Sequence, residues 1–404
     1  MKKFWLSLFP DTFLWIKENK GIIYNSKNFK YYIFHRSDEV NKLCDTLTEL
    51  ESLYTVEISE PLLHNQHVGQ WVNQITNIEA GCLIEQNGYN KKLTSFYPVL
   101  SIQNGIDQII WEHKLNIGGK IIENLYELIF YINGSSHGSD QYFRQTYYPI
   151  NFDISVNFNL IELFINQCNN KMLNKITFIG DILKYKNFRQ LQDWILFNDH
   201  FINIVLLTED ITKDITNVEC FKSDKTNITI IVSNYSTFSK QLGFYKTLND
   251  KVTFIFPVKS MIEIDSVSSI LKEINFKHYN IIPLYNSTNR KFFEENVYMT
   301  LDEFNNIKLS RREIFANMTL NVHFFGKLTI LPDGKIYSNV NDTPLGSIGD
   351  PIYDMLYKEM TERKTWFRIR DMKPCCDCVY QWLCPSLSNY ELVIGKQDLC
   401  HIST

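Results

Sequence analysis

No apolar run in this 404-residue chain approaches the roughly 20 residues that a membrane-spanning helix needs. The opening Phe4-Trp5-Leu6-Ser7-Leu8-Phe9-Pro10 is apolar but short, and it passes into polar sequence without a small-residue cleavage site. We therefore expect a cytoplasmic protein with no membrane partner. A basic excess is lacking as well: 41 Lys and Arg face 45 Asp and Glu, for a net charge of −4. That balance offers no stripe for nucleic acid. There is no glycine-rich loop of the Walker or dinucleotide type to cradle phosphates. Extensive disorder is excluded by 44% hydrophobic and 14% aromatic residues, enough to build a large core in two or three domains.

Cysteine is sparse over most of the chain and crowded at its end. Five of the nine cysteines lie at or after position 375, as Cys375-x2-Cys378-x5-Cys384 and then Cys400, with Cys376 between. A two-residue gap folds two sulfurs toward one point, and the later cysteines close a tetrahedron. Cys375, Cys378, Cys384 and Cys400 thus suit one soft metal centre, either a 4Fe–4S cluster or Zn²⁺, with Cys376 as a non-ligand neighbour. Disulfide pairing, which needs an oxidising compartment, and plain burial are the alternatives. His401 is read as a neighbour of the site rather than a ligand. Cys44, Cys82, Cys168 and Cys220 stand alone and are expected to pack in cores.

The cysteine spacing, with the segment Cys378-Val379-Tyr380-Gln381-Trp382-Leu383-Cys384-Pro385, resembles the second auxiliary-cluster half of a SPASM domain, the C-terminal extension of peptide-modifying radical-SAM enzymes. That family carries a further cysteine where Ser388 stands here. It also carries one after a β-hairpin, present as Leu328 to Tyr337, but Ser338-Asn339 occupy that place. The resemblance therefore implies one cluster of the usual two, bound in the cell as 4Fe–4S; aerobic purification is expected to leave zinc or an empty site.

The first 90 residues read as a separate α+β unit. Phe13 to Lys17, Gly21 to Asn25 and Phe29 to Phe34 have strand composition. A helix starts at Ser37, Leu53 to Ile58 is strand-like, and a second helix runs from Gln66 to Ala80 with Gly81 as its stop. Three strands followed by helices resemble the PqqD-like, winged-helix RiPP recognition element, which binds the leader of a ribosomal precursor peptide as an added strand. The resemblance implies leader contacts at Lys30, Tyr31, Tyr32, Ile33 and Phe34 on the edge, and at Gln70, Trp71 and Gln74 on the helix. The plainer reading is a cap that packs on the rest of the chain.

After a connector near residues 88–95, six apolar runs alternate with amphipathic stretches: Leu128 to Ile132, Ile176 to Ile179, Ile202 to Leu207, Ile228 to Val232, Val252 to Val258 and Ile281 to Tyr285. Runs apolar throughout predict a parallel sheet with helical crossovers. Their number resembles the partial (β/α)6 barrel of radical-SAM proteins; an open α/β sheet is the alternative. In that family the loop after the first strand holds Cys-x3-Cys-x2-Cys. Here that spacing falls on Ser135, Ser139 and Tyr142, whose hydroxyls do not hold an iron–sulfur cluster. The Gly-Gly-Glu-Pro-like motif after the second strand is reduced to Gly180-Asp181. His137 among Ser135, Ser136, Ser139 and Asp140 does not make a hydrolytic set, because triad members come from separate elements.

The expected chain is α/β in three parts: a recognition-element-like module at 1–90, a degenerate barrel at 91–308 and a SPASM-like domain at 309–404. The resemblance narrows to pseudo-radical-SAM/SPASM proteins of ribosomal peptide (RiPP) maturation. It implies a non-catalytic partner that binds no SAM, and engages a precursor leader, an active radical-SAM maturase, or both. The alternative is an enzyme or electron-transfer protein acting through the remaining cluster.

Overall fold

The computed structural model describes residues 2–18, 20–87, 91–98, 118–211, 221, 223–248, 252–273, 276–362 and 364–402. Cys220, residues 88–90 of the expected connector and residues 99–117 lie outside these.

The N-terminal module holds two three-stranded sheets. In the first, β1 (Lys3–Leu8) lies antiparallel between β5 (Thr55–Ser59) and β6 (Gly81–Glu85). The second runs β2 (Thr12–Ile16), β3 (Lys20–Asn25), β4 (Tyr31–His35), all antiparallel. Two longer helices cover them, α1 (Asp38–Thr48), capped by the Ser37 side chain, and α2 (Gln66–Asn77), capped by Asn65, with the short helix Glu60–Leu63 between. Val40, Leu43 and Leu47 of α1 and Val68, Trp71 and Ile75 of α2 meet Leu6, Leu14, Ile23 and Phe34 in one core. The opening apolar stretch is the central strand β1, so four strands precede α1 where the sequence reading has three. Gly81 is not the helix stop either. Glu79 takes the left-handed turn at φ 56°, and Gly81 begins β6, where a Cβ would lie 2.5 Å from the Ser7 carbonyl oxygen.

A nine-stranded sheet forms the body of the chain. Six parallel strands follow one another as neighbours: β7 (Glu127–Tyr131), β8 (Lys175–Ile179), β9 (Phe201–Leu207), β10 (Thr226–Ile231), β11 (Val252–Val258) and β12 (Tyr279–Pro283). An order that never reverses means that every crossover advances in one direction, which stacks the helices on one face. Leu128, Phe130, Ile176, Phe178, Ile204 and Phe254 pack there against helices Phe158–Cys168, Phe188–Phe197 and Met261–Glu273. The last strand sits two residues earlier than its apolar run suggested, because Tyr279 and Asn280 pair with β11 while exposed at the sheet edge.

The sheet continues beyond residue 308. β13 (Lys327–Ile330) pairs parallel with β7, and β14 (Lys335–Tyr337) and β15 (Gly346–Ser347) extend it antiparallel. The free face of β2–β4 also packs on the C-terminal segment, where Phe13, Trp15, Ile22 and Tyr24 meet Phe304, Ile314, Val379, Tyr380 and Leu383. Both ends of the chain are thus built into one packed unit. No helix among the described residues is long and apolar enough to cross a membrane.

Candidate metal centre and peptide edge

The C-terminal cysteines sit in a run of tight turns. Cys378 N–H bonds the Cys375 carbonyl at 3.1 Å, Gln381 N–H that of Cys378 at 3.1 Å, and Cys384 N–H that of Tyr380 at 3.0 Å. Cys400 comes in from the far side, held where the backbone beside it pairs with Met299 (Met299 N–H to the Leu399 carbonyl, His401 N–H to the Met299 carbonyl, each 2.9 Å). Cys375, Cys378, Cys384 and Cys400 all line one cavity of about 390 Å³. Cys376 is not among its walls; its sulfur lies 3.5 Å from Asp377 Oδ1. Every described cysteine is a free thiol. Among the described residues no three His, Cys, Asp or Glu side chains converge on a point that would hold a single metal ion.

Arg370, which the spacing did not reveal, organises this cavity. Its guanidinium donates to Glu391 Oε1 at 2.6 Å, to the Pro385 carbonyl at 2.5 Å and to the Gln397 carbonyl at 2.8 Å, and reaches Cys375 Sγ at 3.7 Å. Burial opposes its charge, but Cys384, Glu391 and Cys375 more than restore it. Burial pushes the Cys375 and Cys378 thiols up and Cys384 to about 12; Arg370 pulls Cys375 and Cys384 the other way. Lys17 crosses from the N-terminal module to the Cys376 carbonyl and Gln381 Oε1, both at 2.6 Å, while Gln381 Nε2 donates to the Arg370 carbonyl at 2.6 Å. The two ends of the chain thereby fix the cysteine turn together.

The positions where the resemblance misses cysteines are used otherwise. Ser388 caps helix Asn389–Ile394, its side chain accepting from Tyr390 N–H. Ser338 donates to the buried Glu359 at 2.7 Å, and Asn339 bonds Asn389 at 2.8 Å. With Ser388 they line a second cavity of about 250 Å³, which shares Ser388, Tyr390 and His323 with the thiol cavity. His401 Nε2 lies 2.6 Å from the Glu294 carbonyl oxygen, and His401 is absent from the four-cysteine cavity.

In the loop after β7, Ser135 is buried and donates to Asp210 Oδ1 at 2.9 Å. Ser139 accepts from the Gln141 and Tyr142 amides, and the Tyr142 ring meets Tyr148 edge-on at 5.5 Å. Phe143, Tyr148 and Ile150 then pack on Tyr131, Val205, Leu207 and Ile231, covering the sheet face opposite the helices.

β4 is an edge strand, and its parity follows from the ladder. Ser26 N–H bonds the Asp11 carbonyl and Lys17 N–H the Lys20 carbonyl, so the even residues of β3 face β2. Asn25 N–H bonds the Lys30 carbonyl, so the odd residues face β4 and pair with Tyr32 and Phe34. Alternation leaves the backbone groups of Tyr31, Ile33 and His35 pointing outward. Of the residues assigned to the leader, Phe34 and Trp71 are buried against each other, rings 5.9 Å apart. Lys30 pairs with Glu79 at 3.0 Å, and Tyr31 bonds Asn305 and meets Tyr380. Tyr32 and Gln74 are half-buried and Gln70 is exposed. A cleft of about 620 Å³ runs from Ile33 and His35 to Asp377 and His401; Cys378 and Tyr380 line both it and the four-cysteine cavity.

No family model matches the chain, and no curated protein matches it. Among solved structures it is similar to Streptococcus suis SuiB bound to precursor peptide SuiA, with a TM-score of 0.48 and 12% identity over 100% of both chains.

Proposed function

We propose that this chain is a non-catalytic partner in ribosomal peptide maturation, which holds a precursor peptide on β4 and carries one 4Fe–4S cluster on Cys375, Cys378, Cys384 and Cys400. The observation that carries the reading is the shared wall: Cys378 and Tyr380 border both the thiol cavity and the cleft beneath the open edge. Four thiols lining one cavity are the soft donor set of either a 4Fe–4S cluster or Zn²⁺, and the reading takes the cluster because the cysteine spacing resembles that of the SPASM family. Arg370 supplies a fixed positive charge for the anionic thiolate set. A bound cluster would draw the raised thiols into the thiolate form and fasten the C-terminal turns.

The non-catalytic part rests on Ser135, Ser139 and Tyr142, which stand in the cofactor loop and are engaged in the contacts described above. The sheet face beside them is filled by Phe143, Tyr148 and Ile150. The reading divides the chain near residues 90 and 308, and assigns the radical chemistry to a separate maturase. Electron transfer through the cluster is the second reading, favoured by the same shared wall. The test is anaerobic reconstitution with iron and sulfide, followed by SAM and reductant. The chain should take up a cluster and form no 5′-deoxyadenosine. Catalytic 5′-deoxyadenosine by the isolated chain overturns the non-catalytic reading, and reduction of the cluster coupled to a partner's turnover favours the second.

A further inference from the structure

A second cluster of polar side chains lies away from the cysteines, at the carboxyl ends of the parallel strands, where α/β sheets place their ligands. Tyr131 pairs with Ile179, so Asn133 and Asp181 stand level two residues further on; Asp210 follows the end of β9. The three are 9%, 5% and 4% exposed. Asn133 Nδ2 donates to the Asp181 carbonyl at 2.8 Å, Ser135 Oγ to Asp210 Oδ1 at 2.9 Å, and Lys184 Nζ pairs with Asp181 Oδ2 at 2.7 Å. Gly180 brings its backbone against the Asn133 amide oxygen, which a Cβ would meet at 2.3 Å. Among the described residues, three buried oxygens are then left with no donor: Asn133 Oδ1, Asp181 Oδ1 and Asp210 Oδ2.

A buried acceptor without a partner costs on the order of 1–3 kcal/mol, and more when it is charged. Here two carboxylates face one ammonium, Lys184, with His137 exposed on the adjoining loop. One water could bring only two O–H donors to three acceptors. A hard divalent cation within reach of these oxygens would satisfy them and offset the surplus negative charge, because such ions take carboxylate and amide oxygens. We propose that Asn133, Asp181 and Asp210 hold a hard divalent cation of the Ca²⁺ or Mg²⁺ type, with Ser135 orienting Asp210. This site is independent of the peptide and cluster reading, and soft thiolates do not compete for such an ion.

Calorimetric titration of Ca²⁺ into the chelator-treated full-length chain tests it, with Mg²⁺ titrated separately. One saturable site is expected, together with a rise in melting temperature on adding the ion. Asp210→Asn and Asp181→Asn should each weaken binding by roughly tenfold or more, since affinity follows ligand charge. Asp140→Asn, an exposed acid on the same loop, should bind as the parent does. Two variants guard against one failing to fold. Absence of saturable binding of both ions to the folded parent overturns the site, as does unchanged binding in a folded Asp210→Asn or Asp181→Asn.

Discussion

Arg370 and Glu391 form an ion pair at 2.6 Å with side chains only 8% and 6% exposed, and the same guanidinium lies 3.7 Å from Cys375 Sγ. Glu391 is also the acid of the capping box begun by Ser388, so one carboxylate caps the start of a helix and holds the arginine beside the cysteine turn. Breaking a buried pair from one side leaves its partner uncompensated, at a cost of about 3–5 kcal/mol. Arg370→Ala should therefore lower unfolding stability by about that amount. Arg370→Ala/Glu391→Gln should recover part of the loss. A double variant as unstable as the sum of its parts, measured by urea unfolding, would show that the pair acts through packing alone.

Iron content separates the cysteines. Cys384→Ala removes one wall of the thiol cavity and should abolish cluster assembly under anaerobic reconstitution. Cys376→Ala should leave iron unchanged, because Cys376 stands outside that cavity. Equal loss in both variants would mean that the ligand set is misassigned, and a parent without iron would refute the cluster.

The parallel sheet was legible because strands buried on both faces read as unbroken apolar runs. Ile202 to Leu207 and Val252 to Val258 coincide with their strands almost to the residue. β12 slipped because its first residues are exposed, so apolarity alone misplaced it. β1 stayed hidden because Lys3–Leu8 pairs with strands about 50 and 80 residues away, and local pattern does not report such partners. The cysteines announced their grouping by spacing. Lys17, Arg370 and Glu391 did not, since a lone charged residue has no pattern until the fold brings it to its partner.

At the amino end of β7, Glu127 is 3% exposed and paired with Lys175 at 2.9 Å and Lys327 at 3.4 Å, joining β13 to the parallel strands. Burial raises its carboxyl, but Lys327 and Lys175 outweigh it and hold the acid below its ordinary value. A carboxyl depressed in the folded state stabilises the fold above its unfolded pKa, about 4.3, and loses that contribution as pH falls through the folded value. Glu127→Gln should thus be less stable than the parent at pH 7, and the gap should narrow steadily below about pH 4.3. A gap that is constant from pH 7 to pH 3 in urea unfolding would refute the ionic origin.

Proline scanning of β4 tests the peptide edge, and parity decides which position to change. Tyr32 pairs inward with Ile23, so Tyr32→Pro breaks the sheet's own ladder and should cost about 1–3 kcal/mol of stability. It cannot distinguish lost binding from lost structure. Ile33 has its N–H on the open side, so Ile33→Pro removes a donor from an incoming strand while sparing the β3 ladder. The assay needs the full chain, because residues 1–90 alone would expose Phe13, Trp15, Ile22 and Tyr24, which pack on the C-terminal segment. With the precursor peptide of its own system, Ile33→Pro should weaken binding roughly tenfold, the worth of about one hydrogen bond. The Ile33 side chain packs at the margin of the core shared with the C-terminal segment, so the variant's melting temperature should fall somewhat, but less than that of Tyr32→Pro. Parent-like affinity in a folded Ile33→Pro would mean that the peptide does not add to β4.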